Sequence, residues 1–324
     1  MTDYLMLAAG FVVLGLGGNF LVQGASALAL RLGIPPLVVG LTVVGFGTSA
    51  PELAVNVSAA LKGDSAIGFG NVVGSSIGNI GLILGLCALV RPLDFGGKIV
   101  SREVPMCILA SLAALVLAAD RFLGSGTADT WGRADGLMLL LIFCVFLYYT
   151  VADALHERSH APAEDNSRAE QKASLPKALL LIVLGLVVLV GGAELTVRAA
   201  IAIARGLGIP TVVVGLTVVA IGTSLPELVT SMVATAKGHA GIAVGNILGS
   251  NIFNLLLIAG TSSTITDLDV PASQGMRDLL VMLAFTFVLL PLPLMRHRTL
   301  QRWQGMGLLM GYAAYIAVLV RESL

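Results

Sequence analysis

The chain has 324 residues, of which 56% are hydrophobic and 12% are charged, against about 45–50% and about 25% in typical soluble domains. A soluble fold of this size cannot bury so much apolar surface, so lipid has to form part of the solvent. The net charge of zero excludes the basic field that draws proteins to nucleic acid.

A membrane-spanning helix needs about 20 mostly apolar residues, and ten segments meet that condition. They cover residues 5–30, 37–61, 66–90, 104–119, 134–152, 177–204, 212–236, 241–263, 278–295 and 305–320. A polar stretch from His156 to Lys177 divides five helices from five and is typical of a flexible linker. We therefore predict an all-α integral membrane protein with a first five-helix unit over 1–152, a linker over 153–176 and a second unit over 177–324.

Lysine and arginine counts in the connections predict the orientation in the membrane. With the N-terminus outside, the inside connections hold twelve of these residues and the outside connections and nearby helix ends hold seven. Both termini are therefore predicted to lie outside, and the linker is predicted to lie in the cytoplasm.

The strongest signal is an internal repeat. Residues 40–62 read GLTVVGFGTSAPELAVNVSAALK, and residues 215–237 read GLTVVAIGTSLPELVTSMVATAK. The match continues without a gap at an offset of 175, so that the motifs cover 40–85 and 215–260, and about half of these positions are identical. Because each unit has an odd number of helices, the second enters the membrane from the opposite face, which gives inverted repeats.

Both copies place a proline and a glutamate near the middle of a helix. Pro51 and Pro226 cannot donate a backbone hydrogen bond, so each is predicted to break its helix and to free carbonyls around Thr48 and Thr223. Free carbonyls at membrane depth are tolerated where they line a cavity, and a cation suits them. The alternative for an isolated proline is a packing kink with its carbonyls capped by hydroxyls.

Glu52 and Glu227 directly follow the two prolines. A carboxylate at the bilayer centre costs at least a few kcal/mol and indicates function. Each glutamate lies one turn after its threonine and shares a helix face with it. The alternatives are a buried salt bridge or a protonated acid, but neither segment has a basic residue nearby.

The third and eighth helices add further oxygen atoms, from Ser75, Asn79, Ser250 and Asn254. Their alternative role is hydrogen bonding between helices. Hydroxyls, amides, carbonyls and two carboxylates are hard ligands, which suit calcium or sodium and do not suit zinc or copper. No cofactor is predicted, and the ions are predicted to be transported cargo.

The repeated GTS-x-PE, each followed by GN-x-x-GS, resembles the alpha repeats of the sodium/calcium exchanger family, within the cation/calcium exchanger superfamily. The resemblance covers nearly the whole chain and is greatest to short prokaryotic members, which implies the plasma (inner) membrane of a prokaryote. It implies exchange of calcium for sodium by alternating access, with the first and sixth helices sliding as gates. No obligate protein partner is inferred.

The resemblance also implies residue roles. Glu52 and Glu227 would bind both ions, and Thr48 and Thr223 would offer carbonyls. Sodium would be bound by four serines, namely Ser49, Ser224, Ser75 and Ser250. Asn79 matches an asparagine of the family, whereas Asn254 stands where relatives often have aspartate, so the stoichiometry and the use of potassium stay open.

Three other functions compete with sodium/calcium exchange. Proton/calcium antiport, or potassium-dependent exchange, could use the same carboxylates. An intramembrane hydrolase with two acidic residues would be an enzyme, but the sequence lacks a nucleophile or metal motif. A channel would not need coupled gradients. Glu194 and Arg198, one turn apart in the sixth helix, are interpreted as an intrahelical ion pair, with a gating contact as the alternative.

Overall fold

The computed structural model of the chain describes most of its length. The described residues are 2–96, 99–124, 126, 128–160, 174–206, 220–272, 274–291 and 298–323. Within them the chain is almost entirely helical, as its composition predicts.

The helices of the first half are α1 (Thr2–Leu32), α2 (Pro36–Val39), α3 (Gly45–Thr48), α4 (Ala50–Lys62), α5 (Ser65–Gly78), α6 (Gly85–Val90), α7 (Val104–Leu117), α8 (Asp120–Leu123) and α9 (Arg133–His160). Those of the second half are α10 (Leu175–Gly206), α11 (Ala220–Thr223), α12 (Leu225–Ala236), α13 (Ala240–Ile252), α14 (Ala259–Ile265), α15 (Gly275–Phe287) and α16 (Arg302–Ser323). Wider π-helical turns join several of them, at Gly40–Val44, Asn79–Leu84, Ile99–Glu103 and Phe253–Ile258.

Six described helices are long and apolar enough to cross a membrane, and the bent pair Pro36–Thr48 and Ala50–Lys62 gives a seventh span. The predicted fourth, seventh and ninth spans correspond to shorter described helices, α7, α12 and α15. Residues 212–219 of the predicted seventh span lie outside the described residues.

Two predicted boundaries differ from the structure. The ninth helix was expected to reach residue 295, but α15 ends at Phe287 and turns follow it. Pro291 explains the early end, because proline disfavours helix at the residue before it and removes a helical hydrogen bond. The fifth helix was expected to end at residue 152, but α9 continues to His160, because neither proline nor glycine interrupts residues 153–160.

The first and sixth helices pack together over much of their length. On α1, Gly10 lies against Thr196 and Gly24 lies against Ile182, and an added methyl group at either glycine would clash with α10. Residues later in α1 contact residues earlier in α10, so the two helices are antiparallel. Since they are repeat equivalents, this direction is the one that inverted repeats require.

Two short strand pairs join the halves. β1 (Leu93–Asp94) pairs with β4 (Thr299–Leu300), and β2 (Thr130–Trp131) pairs with β3 (Leu268–Asp269), both antiparallel. β1 and β3 are repeat equivalents at the same offset of 175. Each pair therefore joins one strand from the first half to one from the second.

Two ion pairs use equivalent arginines, although their acidic partners are not repeat equivalents. Arg102 near the start of α7 pairs with Asp153 on α9, and Arg277 near the start of α15 pairs with Glu322 at the end of α16. The two arginines are 175 residues apart. In each half the fourth helix is thus tied to the end of the fifth.

Candidate functional site

Both predicted helix breaks are present and have nearly the same backbone geometry. Ser49 lies between α3 and α4 with φ −85° and ψ 2°, and Ser224 lies between α11 and α12 with φ −89° and ψ 4°. The chain bends by 44° at Ser49. Pro51 and Pro226 stand in the first turn after each break, where proline needs no hydrogen-bond partner for its nitrogen.

The two glutamates lie in the first turns of α4 and α12 and are buried, with Glu52 2% exposed and Glu227 1% exposed. The carboxylates are close enough to repel each other. The helix breaks bring two acids, each predicted from its own repeat, into one place.

Hydroxyls of the other repeat face each glutamate, and Glu227 is also faced by a hydroxyl of its own repeat, that of Ser250. Ser49 Oγ donates to Glu227 Oε1 at 3.0 Å, and the hydroxyls of Thr48 and Ser250 also face the Glu227 carboxylate. Conversely, the hydroxyls of Thr223 and Ser224 face Glu52. The serine and threonine hydroxyls of each GTS segment therefore lie beside the carboxylate of the glutamate in the other repeat.

The third and eighth helices close the site. Ser224 Oγ donates to Ser75 Oγ at 3.3 Å, which links the seventh helix to the third. Asn79 and Asn254 lie in equivalent π-helical turns and are 1% and 2% exposed. Such turns frequently occur at functional sites. Among the described residues, neither asparagine hydrogen-bonds to a glutamate.

Several oxygen atoms at the site are buried without a hydrogen-bond partner among the described residues. They are Glu52 Oε2, Glu227 Oε2, Ser250 Oγ, Asn79 Oδ1 and Asn254 Oδ1. Leaving one buried polar atom unpaired costs about 1–3 kcal/mol, and more for a charged one. A hard cation is the kind of partner that such oxygens would accept.

Within the described part of the chain, no three His, Cys, Asp or Glu side chains come together in a possible metal site. Among the described residues, Glu52 and Glu227 therefore have no third acidic side chain beside them. A third acid, expected in relatives at the position of Asn254, is replaced here by an amide.

Asn246 connects the two repeats and was not predicted as a site residue. Its Oδ1 accepts from Thr48 Oγ1 at 3.1 Å, and its Nδ2 donates to Ser231 Oγ at 2.9 Å and to the Glu227 carbonyl at 3.4 Å. Its repeat equivalent, Asn71, accepts from Thr223 Oγ1 at 3.4 Å. The sequence carried a signal for both, because each is the asparagine of a GN-x-x-GS motif.

One helix, α10, contacts both breaks. An added methyl group on Gly47 would lie 2.7 Å from the Leu186 side chain, and one on Gly222 would lie 2.3 Å from that of Val197. The glycine of each GTS motif thus allows the sixth helix to lie directly over the site.

Glycines on the eighth helix allow a close helix contact. Gly245 and Gly249 lie against the backbone of residues 37–41. Their repeat equivalents are Gly70 and Gly74 on the third helix, and the equivalent partner, 212–216, lies outside the described residues.

Glu194 and Arg198 form the predicted intrahelical ion pair. Arg198 Nε lies 2.6 Å from Glu194 Oε1, and the two side chains are 71% and 59% exposed. The pair is separate from the buried oxygens of the site.

Comparison with known proteins gives the family. A family model described as "Sodium/calcium exchanger protein" matches residues 2–152 and 177–321. The chain belongs to the sodium/calcium exchanger family. CaxA of Alkalimonas amylolytica is 37% identical over 96% of this chain and 98% of its own. The sodium/calcium exchanger MaX1 of Methanosarcina acetivorans is 33% identical over 98% of each chain.

A solved structure of the sodium-calcium exchanger NCX_Mj, soaked with Na⁺ and Sr²⁺, superposes with a TM-score of 0.83 at 30% identity, covering 98% of each chain. An inner membrane protein of Escherichia coli, YrbG, is 35% identical over 97% of each chain. The predicted fold is confirmed: ten transmembrane helices in two inverted repeats. The chain is an integral membrane transporter of the cation/calcium exchanger type and not an enzyme.

Proposed function

We propose that this transporter exchanges calcium for sodium by alternating access around the site between the two glutamates. The observation that carries the proposal is the crossed contact of the repeats, in which Ser49 of one reaches the carboxylate of Glu227 in the other at 3.0 Å. A site made by both halves changes its accessibility when the halves move relative to each other.

The charge and ligand types support these two ions. The pair of carboxylates carries about −2, which one calcium or two sodium ions neutralise. We propose as ligands the ten residues predicted from the sequence. They are Glu52, Glu227, Thr48, Thr223, Ser49, Ser224, Ser75, Ser250, Asn79 and Asn254. Because both ions need the same carboxylates, binding of one displaces the other.

The neutral ligands favour sodium over protons as the coupling ion. A carboxylate carries a proton without further help, whereas sodium needs several oxygens around it. The hydroxyls facing Glu52 and Glu227 and the unpaired amide oxygens of Asn79 and Asn254 supply them.

The excess of Lys and Arg in the predicted inside connections leads us to propose that both termini lie outside.

The test is calcium flux in proteoliposomes with sodium, potassium and proton gradients imposed one at a time. We expect only the sodium gradient to drive flux. Glu52→Gln and Glu227→Gln should each lower it by about a hundredfold or more, because each removes a charge within a few ångströms of the ion. Asp64→Asn, at an exposed carboxylate after α4, is the control and should transport normally.

Flux driven by the proton gradient alone would replace sodium with protons as the coupling ion. Flux that a potassium gradient changes would indicate potassium-dependent exchange. Unchanged flux in both glutamate variants would refute the site itself.

A further inference from the structure

The side-chain amide of Asn79 is held in one orientation by a neighbour that none of the predicted roles includes. Asn79 Nδ2 donates to Asn251 Oδ1 at 2.9 Å, and Asn251 Nδ2 donates to the backbone carbonyl of Ser76 at 3.2 Å. Both asparagines are 1% exposed. The Cys107 thiol of α7 lies beside Asn251.

The hydrogen bonds determine which end of each amide points where. A flipped Asn251 would bring its NH₂ group against that of Asn79 and its oxygen against the Ser76 carbonyl. A flipped Asn79 would bring two oxygens together. The observed arrangement is therefore the one in which both amide NH₂ groups donate a hydrogen bond, and it leaves Asn79 Oδ1 buried without a partner among the described residues.

The orientation matters because the two ends of an amide act oppositely on a cation. The carbonyl oxygen is a hard ligand, whereas the NH₂ group only donates hydrogen bonds and repels a positive ion. We propose that Asn251 is a positioning residue that sets the ion affinity of the site by holding the Asn79 oxygen toward the transported cation. This inference rests on the proposed function in that Asn79 is taken as a ligand.

The first and second repeats differ at this position, which supplies a control. The repeat equivalent of Asn251 is Ser76, whose hydroxyl donates to the Val72 carbonyl of its own helix at 2.8 Å. Ser76→Ala removes a buried polar side chain but keeps the backbone carbonyl that Asn251 uses. It should therefore leave ion affinity unchanged.

The experiment measures how calcium raises the Tm of the purified full-length protein in detergent. We expect Asn251→Ala to raise the calcium concentration for a half-maximal shift by about tenfold or more, as is usual when a residue that orients a ligand is lost. Ser76→Ala should stay within about twofold of the wild type, since it leaves the ligand's orientation intact.

Repeating Asn251→Ala in a protein that already carries a substitution at position 79 separates positioning of the ligand from general loss of structure. An aspartate at position 79 presents an oxygen to the ion in either orientation. Adding Asn251→Ala to the Asn79→Asp variant should therefore change the calcium affinity by less than about twofold. Should that background bind no calcium, Asn79→Ala replaces it, and Asn251→Ala should then cause no further loss. An equal loss in all backgrounds, or none in the wild type, would overturn the proposal.

Failure of this inference and failure of the proposed function give different results. The titration reads calcium binding alone, so it remains informative if an ion other than sodium drives transport. Normal affinity in Asn251→Ala would reject the positioning role and leave sodium/calcium exchange intact.

Discussion

The surroundings of Glu227 and Glu52 differ, although the two glutamates stand in the same motif. Beside Glu227, both ends of the Asn246 side chain are hydrogen-bonded. Beside Glu52, Asn56 Nδ2 donates to the Glu52 carbonyl at 2.9 Å, but Asn56 Oδ1 and Asn71 Nδ2 have no partner among the described residues. Asn246 is therefore hydrogen-bonded at both ends, whereas the amide nitrogen of its repeat equivalent, Asn71, is unpaired among the described residues.

The proposed alternating access would produce such a difference. When a site opens to one side of the membrane at a time, the two copies cannot have the same surroundings in any one state. Substitutions at paired positions should therefore have unequal effects.

The largest effect is expected at Gly249. A methyl group at Gly249 would lie 2.6 Å from the Leu41 carbonyl. Overpacking of this kind costs roughly 1–3 kcal/mol. Gly249→Ala should lower the Tm in detergent clearly more than Gly307→Ala does, because Gly307 is exposed on α16 and no described atom lies within 4 Å of an added methyl group there. Equal losses would mean that the backbone at Leu41 gives way without cost.

A smaller inequality is expected between Asn246 and Asn71. Asn246→Ala removes the link between Thr48 and the Glu227 segment, and should raise the half-saturating calcium concentration for transport by about tenfold. Asn71→Ala removes a single contact of 3.4 Å and should raise it by only about two- to threefold. If Asn71→Ala proved as damaging as Asn246→Ala, the number of hydrogen bonds that each asparagine makes would not determine its effect on calcium transport.

The smallest effect is expected at Glu194. Its pairing with Arg198 is exposed, and exposed pairs contribute about 0–1 kcal/mol. The repeat counterparts Asn19 and Gln23 carry no charge. Glu194→Gln should change the rate of exchange by less than about twofold, whereas a clear change at unaltered stability would support the alternative role in gating.

Most of the fold could be predicted from the sequence because lipid and duplication impose strict patterns. The length of the apolar segments predicts the membrane spans, and the odd number of helices per repeat predicts that the repeats are inverted. Proline gave the breaks at Ser49 and Ser224, since its ring acts on the local backbone whatever surrounds it. The end of the ninth helix was missed because Pro291 was counted as part of an apolar run.

The site could be predicted as far as its residues repeat. Glu52 and Glu227 stand out because a charge in a membrane segment needs an explanation. Asn71 and Asn246 also repeat, but which side chain each would bond depends on the crossing of the two halves. Asn251 could not be found in this way, since its counterpart is a serine and its partner Asn79 is 172 residues away.

The two strand pairs have a consequence for how such a protein can arise. β1 pairs with a strand of the second half and β3 pairs with a strand of the first, just as the GTS hydroxyls of each repeat face the glutamate of the opposite one. One five-helix unit by itself would leave strand edges unpaired and carry half of the candidate site. Such a unit could reach this architecture only by joining a copy of itself inserted the other way up in the same bilayer.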